Sequence, residues 1–150
     1  MDDFVLFCNR TLDGYERALT RVNDDSINTV AVSGGNTPAQ WTCHAMGAAE
    51  WWTAHHVCGR PVERDRDAEF EARASVDEVL AHVARLRQLL EDLQPELAAA
   101  TGVHFNPTTQ TPLGTDWTVG ACLIHAYEEL AQHLGHLEIT IDALEENFAR

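Results

Sequence analysis

Apolar residues return every three or four positions in four separate stretches of this chain, with polar segments between them. Residues 3 to 22 carry Phe4, Cys8, Leu12, Tyr15, Leu19 and Val22 at that spacing, which gathers them on one face of a helix. Asn23 to Asn36 interrupts the pattern, most sharply at Ser33-Gly34-Gly35-Asn36, and reads as a loop. The β-branched run from Ile27 to Val32 is too short to count as a strand and is assigned to the same loop. Thr37-Pro38 is a helix start, because the hydroxyl can accept from a free first-turn amide and proline lacks the N–H that would go unpaired there. The second helix is predicted to run to about Cys58, where Gly59 and Pro61 stop it. Glu63 to Glu71 is dense in charge and is expected to be exposed.

Ser75-Val76-Asp77-Glu78 forms a capping box, and Val76, Val79, Val83, Leu86, Leu90, Leu93 and Leu97 follow as the seam of a third helix. Pro95 is expected to kink its last turns. Gly102 to Thr115, with Pro107, Pro112 and Gly114, is the third connection. The last helix starts near Thr118 and carries Leu123, Tyr127, Leu130, Leu134, Leu137, Ile141 and Leu144 toward Phe148. The pattern predicts an all-α protein, a single four-helix bundle over residues 1–150.

The net charge of -14 sets the partners that can be excluded. A surface that negative repels phosphate backbones and anionic headgroups, so neither nucleic acid nor a membrane is expected as a partner. No apolar run is long enough to span a bilayer, and the acidic start Met1-Asp2-Asp3 is unlike a signal peptide, which points to the cytoplasm. Cys8, Cys43, Cys58 and Cys122 form no close CxxC pair and are expected to be reduced and mostly buried. At least two of Trp41, Trp51, Trp52 and Trp117 are expected to fill the core.

Candidate chemistry lies in the histidines. Glu129 and His133 are i and i+4 in the last helix, one turn apart on one face, a spacing from which both can grip one ion. His44 shares a helical face with the apolar residues Trp41, Ala48 and Trp51, so its imidazole is aimed into the bundle, where a third ligand would be needed. Imidazole and carboxylate together suit Zn²⁺ first, then Ni²⁺, Fe²⁺ or Mn²⁺, and three protein ligands leave a coordination position open. The same residues also admit plainer roles: an exposed ion pair for Glu129 and His133, a hydrogen-bonded core histidine for His44. His125 and His136 are candidates to orient the ligands or to be ordinary polar residues at the helix edge. His55 and His56 lie too far along the helix from His44 to share its ion.

Two motifs extend this reading. His44-Ala45-Met46-Gly47 followed by Trp51-Trp52 is similar to an H-x-x-G … W-W second helix. His125-x-x-x-Glu129-x-x-x-His133-x-Gly135-His136 is similar to an H-x-x-E-E-x-x-x-H-x-G-H final helix. Both resemble the DinB-like, metal-binding four-helix bundle superfamily, in particular its branch of mycothiol-dependent maleylpyruvate isomerases and related thiol transferases. The resemblance implies an up-down-down-up bundle, a metal at His44, Glu129 and His133, and a homodimer. It implies one divalent cation and a low-molecular-weight thiol such as mycothiol as cofactors, with an electrophilic small molecule as substrate. The isomerases carry a second, C-terminal domain, whereas this sequence ends at Arg150, which favours the shorter thiol transferases as the comparison. The expected activity is a metal-dependent thiol S-transferase or isomerase. The alternatives are a non-catalytic, dimeric metal- or ligand-binding bundle and a metal-dependent hydrolase in which water replaces the thiol.

Overall fold

Acidic side chains at a helix start and a basic one at its end complement the helix dipole, and the first helix, α1 (Asp2–Leu19), has Asp2 and Asp3 in its first turn and Arg17 in its last. The structure is a computed structural model and describes residues 2–105, 111 and 114–149. Pro107 and Pro112 of the third connection lie outside the described residues. Among those described, every regular element is helical. The remaining helices are α2 (Pro38–Glu50), the short α3 (Arg66–Glu69), α4 (Val76–Ala99) and α5 (Val119–Phe148). No helix among the described residues is long and apolar enough to cross a membrane.

The predicted caps explain the starts. Thr37 Oγ1 accepts from the Gln40 amide while Gln40 Oε1 accepts from the Thr37 amide, and Ser75 and Glu78 make the same exchange at α4. Thr118 Oγ1 accepts from the Ala121 amide at the head of α5. The α4 seam is buried as its spacing predicts, from Val79 through Leu97, with Val76 only partly covered. On α5, Leu123, Leu130, Leu137, Ile141 and Leu144 are buried, while Tyr127 and Leu134 pack at the margin. Pro95 lies inside α4, which continues through it to Ala99.

One apolar core joins the four long helices: Cys8, Leu12, Tyr15 and Leu19 of α1, Ala45, Met46 and Ala49 of α2, Val83 and Leu90 of α4, and Leu130 and Ile141 of α5. The alanines of α2 let its backbone sit close to its neighbours. Ile27, in a short 3-10 turn (Ser26–Asn28), is fully buried and closes one end of the core, so the loop assigned there carries core as well. A second cluster, with Ala54, Val57, Leu93, Leu97 and Cys122, fills the other end.

The sequence pattern differs from the structure in two places that bear on the site. The second helix does not stay α-helical to Cys58: Trp51–Val57 is a π-helical segment. Within it the Thr53 hydroxyl donates to the Ala49 carbonyl, and Gly59, with φ +68°, turns the chain away beyond it. The charged connection is also not all exposed. Asp65 caps α3 by accepting from the Asp67 and Ala68 amides, and Glu69 ends up with a side chain only 11% exposed.

Candidate metal centre

The site is built from one residue of α2 and two of α5. The Thr37 cap fixes the start of α2, and His44 follows two turns later with its ring buried. On α5 the buried Leu130 seam holds the helix in place, and the Tyr15 hydroxyl donates to the Leu130 carbonyl at 2.9 Å. Glu129 and His133 therefore stand one turn apart on the flank of that seam, facing α2. His44 Nε2 lies 3.3 Å from Glu129 Oε2, and His133 Nε2 lies 3.2 Å from the same oxygen. One ligand atom from each of the three residues falls within 4.8 Å of the other two.

Glu129 Oε2 is buried and makes no hydrogen bond, although two imidazole nitrogens stand beside it. A buried carboxylate oxygen without a hydrogen bond is costly and calls for a closer partner. Donor atoms around one tetrahedral cation at about 2.0–2.2 Å lie roughly 3.4 Å apart. The two observed separations match that edge, so the residues fit a single divalent ion of the nitrogen- and oxygen-binding kind. The imidazoles of His133 and His44 hold the Glu129 carboxyl well below the usual carboxylate range, against burial that would raise it. Burial would lower the His44 pKa, but Glu129 and Glu69, one at each ring nitrogen, raise it above its ordinary value.

Aromatic rings and further histidines surround the three. Trp41 lies over His133 and His136, with centroid distances of 5.2 and 4.7 Å, and its Nε1–H donates to Thr140 Oγ1. His133 and His136 share a hydrogen bond between their Nδ1 atoms at 3.1 Å. His125 Nε2 sits 3.4 Å from Glu129 Oε1, its Nδ1 pairs with Glu128, and Trp52 and Trp117 pack around it. Both histidines thus touch members of the group without joining it. All four tryptophans are half-buried, so the expectation that two fill the core is corrected: Trp41, Trp52 and Trp117 pack against its edge.

Sequence reasoning missed Glu69, Arg64 and Phe70. Glu69 Oε2 accepts from His44 Nδ1 at 2.8 Å, Arg64 holds the same carboxylate, and the Phe70 ring lies 4.5 Å from the His44 ring. The cysteines are free, with Cys8 and Cys122 buried and Cys43 and Cys58 half-buried. Burial pushes the Cys8 thiol up to about 12 and those of Cys58 and Cys122 up to about 11, and it raises Cys43 as well.

No curated protein and no solved structure matches the chain significantly. A family model described as the DinB superfamily matches residues 9–137. That stretch runs from α1 past His133 and contains all three converging side chains, over most of the sequence. The chain belongs to the DinB superfamily.

Proposed function

We propose that this protein is a metal-dependent thiol S-transferase or isomerase that holds one divalent cation, Zn²⁺ before Ni²⁺, Fe²⁺ or Mn²⁺, at His44, Glu129 and His133. The observation that carries the reading is the convergence of two imidazole nitrogens from different helices on one buried oxygen, Glu129 Oε2, that makes no hydrogen bond. Three protein ligands leave room for an exogenous atom, the mark of a catalytic rather than a structural site. A cation there favours the thiolate of an incoming thiol, which is the nucleophilic form. Burial raises the pKa of the chain's own thiols, which supports a small molecule, a low-molecular-weight thiol such as mycothiol, as the source of the reactive sulfur. Its S–H proton leaves as the sulfur bonds to an electrophilic carbon. In substitution the carbon's leaving group, a halide in an aryl halide, departs with the bonding pair and a thioether results. In addition to an activated double bond the adjacent carbon takes up a proton, after which the adduct rearranges and expels the thiol with its proton restored.

The up-down-down-up order belongs to the same proposal. Arg21 at the end of α1 reaches Asp142 and Glu145 near the end of α5, while Phe7 packs on Tyr127 nearer the start of each, which supports parallel α1 and α5. Gln94 bonds Asp2 and Arg87 bonds Asp13, which supports antiparallel α1 and α4. Trp41 meets Thr140 and Trp52 meets His125, which supports antiparallel α2 and α5. A cytoplasmic homodimer completes the reading, with the exposed Phe7 and Ile124 on α1 and α5 as its proposed contact and sedimentation as its check.

Metal analysis of the purified protein, followed by conjugation of a thiol to a model aryl halide, tests the activity. The expected result is one metal ion per chain and conjugation that is lost on chelation, regained with Zn²⁺ and absent in His133→Ala. Conjugation indifferent to chelator would overturn the reading, and hydrolysis without conjugation would replace thiol by water.

A further inference from the structure

His44 has two ring nitrogens, and they face different carboxylates. Nε2 looks toward Glu129 and His133, and Nδ1 toward Glu69. Glu69 comes from α3, in the connection between α2 and α4. Its carboxylate also accepts from Arg64 Nε at 2.7 Å and Arg64 Nη2 at 2.9 Å. Two parallel bonds to one guanidinium fix the plane of the carboxylate as well as its place. Both partners are largely covered, with side chains 13% and 11% exposed. The Asp65 cap and the Phe70 ring pin the segment on either side.

The carboxylate that reaches His44 sits in a gap left by α2. Gly47 lies one turn beyond His44 on the same face, and a Cβ there would fall 2.4 Å from Glu69 Oε1 and 3.2 Å from its Cδ. Apart from proline, glycine is the poorest helix former, so the helix interior gains nothing from it. Its service is the space through which the acid enters.

We propose that Arg64 and Glu69 are a positioning pair for His44, admitted by Gly47, that holds the imidazole proton on Nδ1 and presents the Nε2 lone pair to the metal. The inference rests on the metal reading above. A neutral imidazole carries one proton, so a carboxylate that accepts at Nδ1 decides the tautomer and fixes the ring's rotation. It also makes Nε2 a stronger donor, while Arg64 offsets the negative charge that Glu69 brings.

Zn²⁺ affinity, measured by competition with a chromophoric chelator, and thermal melting of the metal-free protein test this together. Glu69→Ala is expected to weaken Zn²⁺ binding by about 10–100-fold, the range for loss of a residue that orients a ligand. Gly47→Ala is expected to fall in the same range, and its metal-free form to melt no lower than that of Glu69→Ala, because both lose the same carboxylate contacts and alanine favours helix. Glu69→Gln, which keeps an acceptor oxygen, should recover part of the affinity. Zn²⁺ binding at wild-type strength in both Glu69→Ala and Gly47→Ala overturns the pair and leaves the metal site standing. A Gly47→Ala protein whose metal-free form melts well below that of Glu69→Ala also overturns it, since the glycine would then be structural. A wild-type protein that takes up no Zn²⁺ sinks the metal site, and the pair with it.

Discussion

Where α1 meets α4, charge stays outside and hydrocarbon inside; where α2 meets α5, charge is brought indoors. Arg87 of α4 bonds Asp13, Glu16 and the Asn9 carbonyl of α1 at the rim, at 2.9, 3.0 and 3.3 Å, and Leu12 and Leu90 lie fully buried in the core. Between α2 and α5 stand two imidazoles and an anionic oxygen that makes no hydrogen bond. Asn9 Oδ1 is also buried without a partner, but it is a neutral amide oxygen. The first interface lowers the free energy of the fold as it stands. The second holds a carboxylate oxygen that the proposed cation would pair. Both pairs of helices contribute to the shared apolar core, and the candidate metal centre lies only between α2 and α5.

Substitutions on the two sides should therefore move different observables. The largest effect is expected from His133→Ala, which should bring Zn²⁺ uptake below detection in a chelator competition. The same variant should change metal-free urea stability by only about 1 kcal/mol, roughly the worth of its ring contact with Trp41. Next is Leu90→Ala, fully buried in the shared core, which should cost about 2–5 kcal/mol in urea unfolding and leave the Zn²⁺ affinity of the folded protein unchanged. If Leu90→Ala weakened metal binding as much as stability, the division of labour would be wrong. Arg87→Ala should cost about 1 kcal/mol or less, because its acidic partners are half exposed.

The smallest effect is a pH dependence at the α4 cap. Hydrogen bonds from the Ser75 amide and hydroxyl hold the Glu78 carboxyl below its ordinary value. A depressed carboxyl stabilises the fold above its unfolded pKa, about 4.3, and that contribution is lost as pH falls through the folded value. Glu78→Gln should thus melt below wild type at pH 7 and converge with it in acid.

Much of this was legible in the residues themselves. The leucine and valine spacing of α4 and α5 is local and dictates which face is buried, and the i, i+4 relation of Glu129 and His133 is helix geometry. His44 could be aimed inward from its apolar neighbours, though only the fold brings it to α5. Glu69 could not be found in the same way. It sits among charges that read as a solvated run, and its role depends on a contact with a residue 25 positions earlier. The one local sign was Gly47, a poor helix former in a helix interior. The π segment was equally hidden, because Trp51–Val57 is a single short stretch whose residue types are compatible with an ordinary α-helix.

That the three side chains come from helices far apart in sequence turns a bound ion into a cross-link. An ion that binds only the folded chain adds about 4 kcal/mol of stability at a thousandfold excess over its dissociation constant. Heat resistance should then climb with the logarithm of free metal, so a simple melting curve reads out occupancy with no substrate in hand.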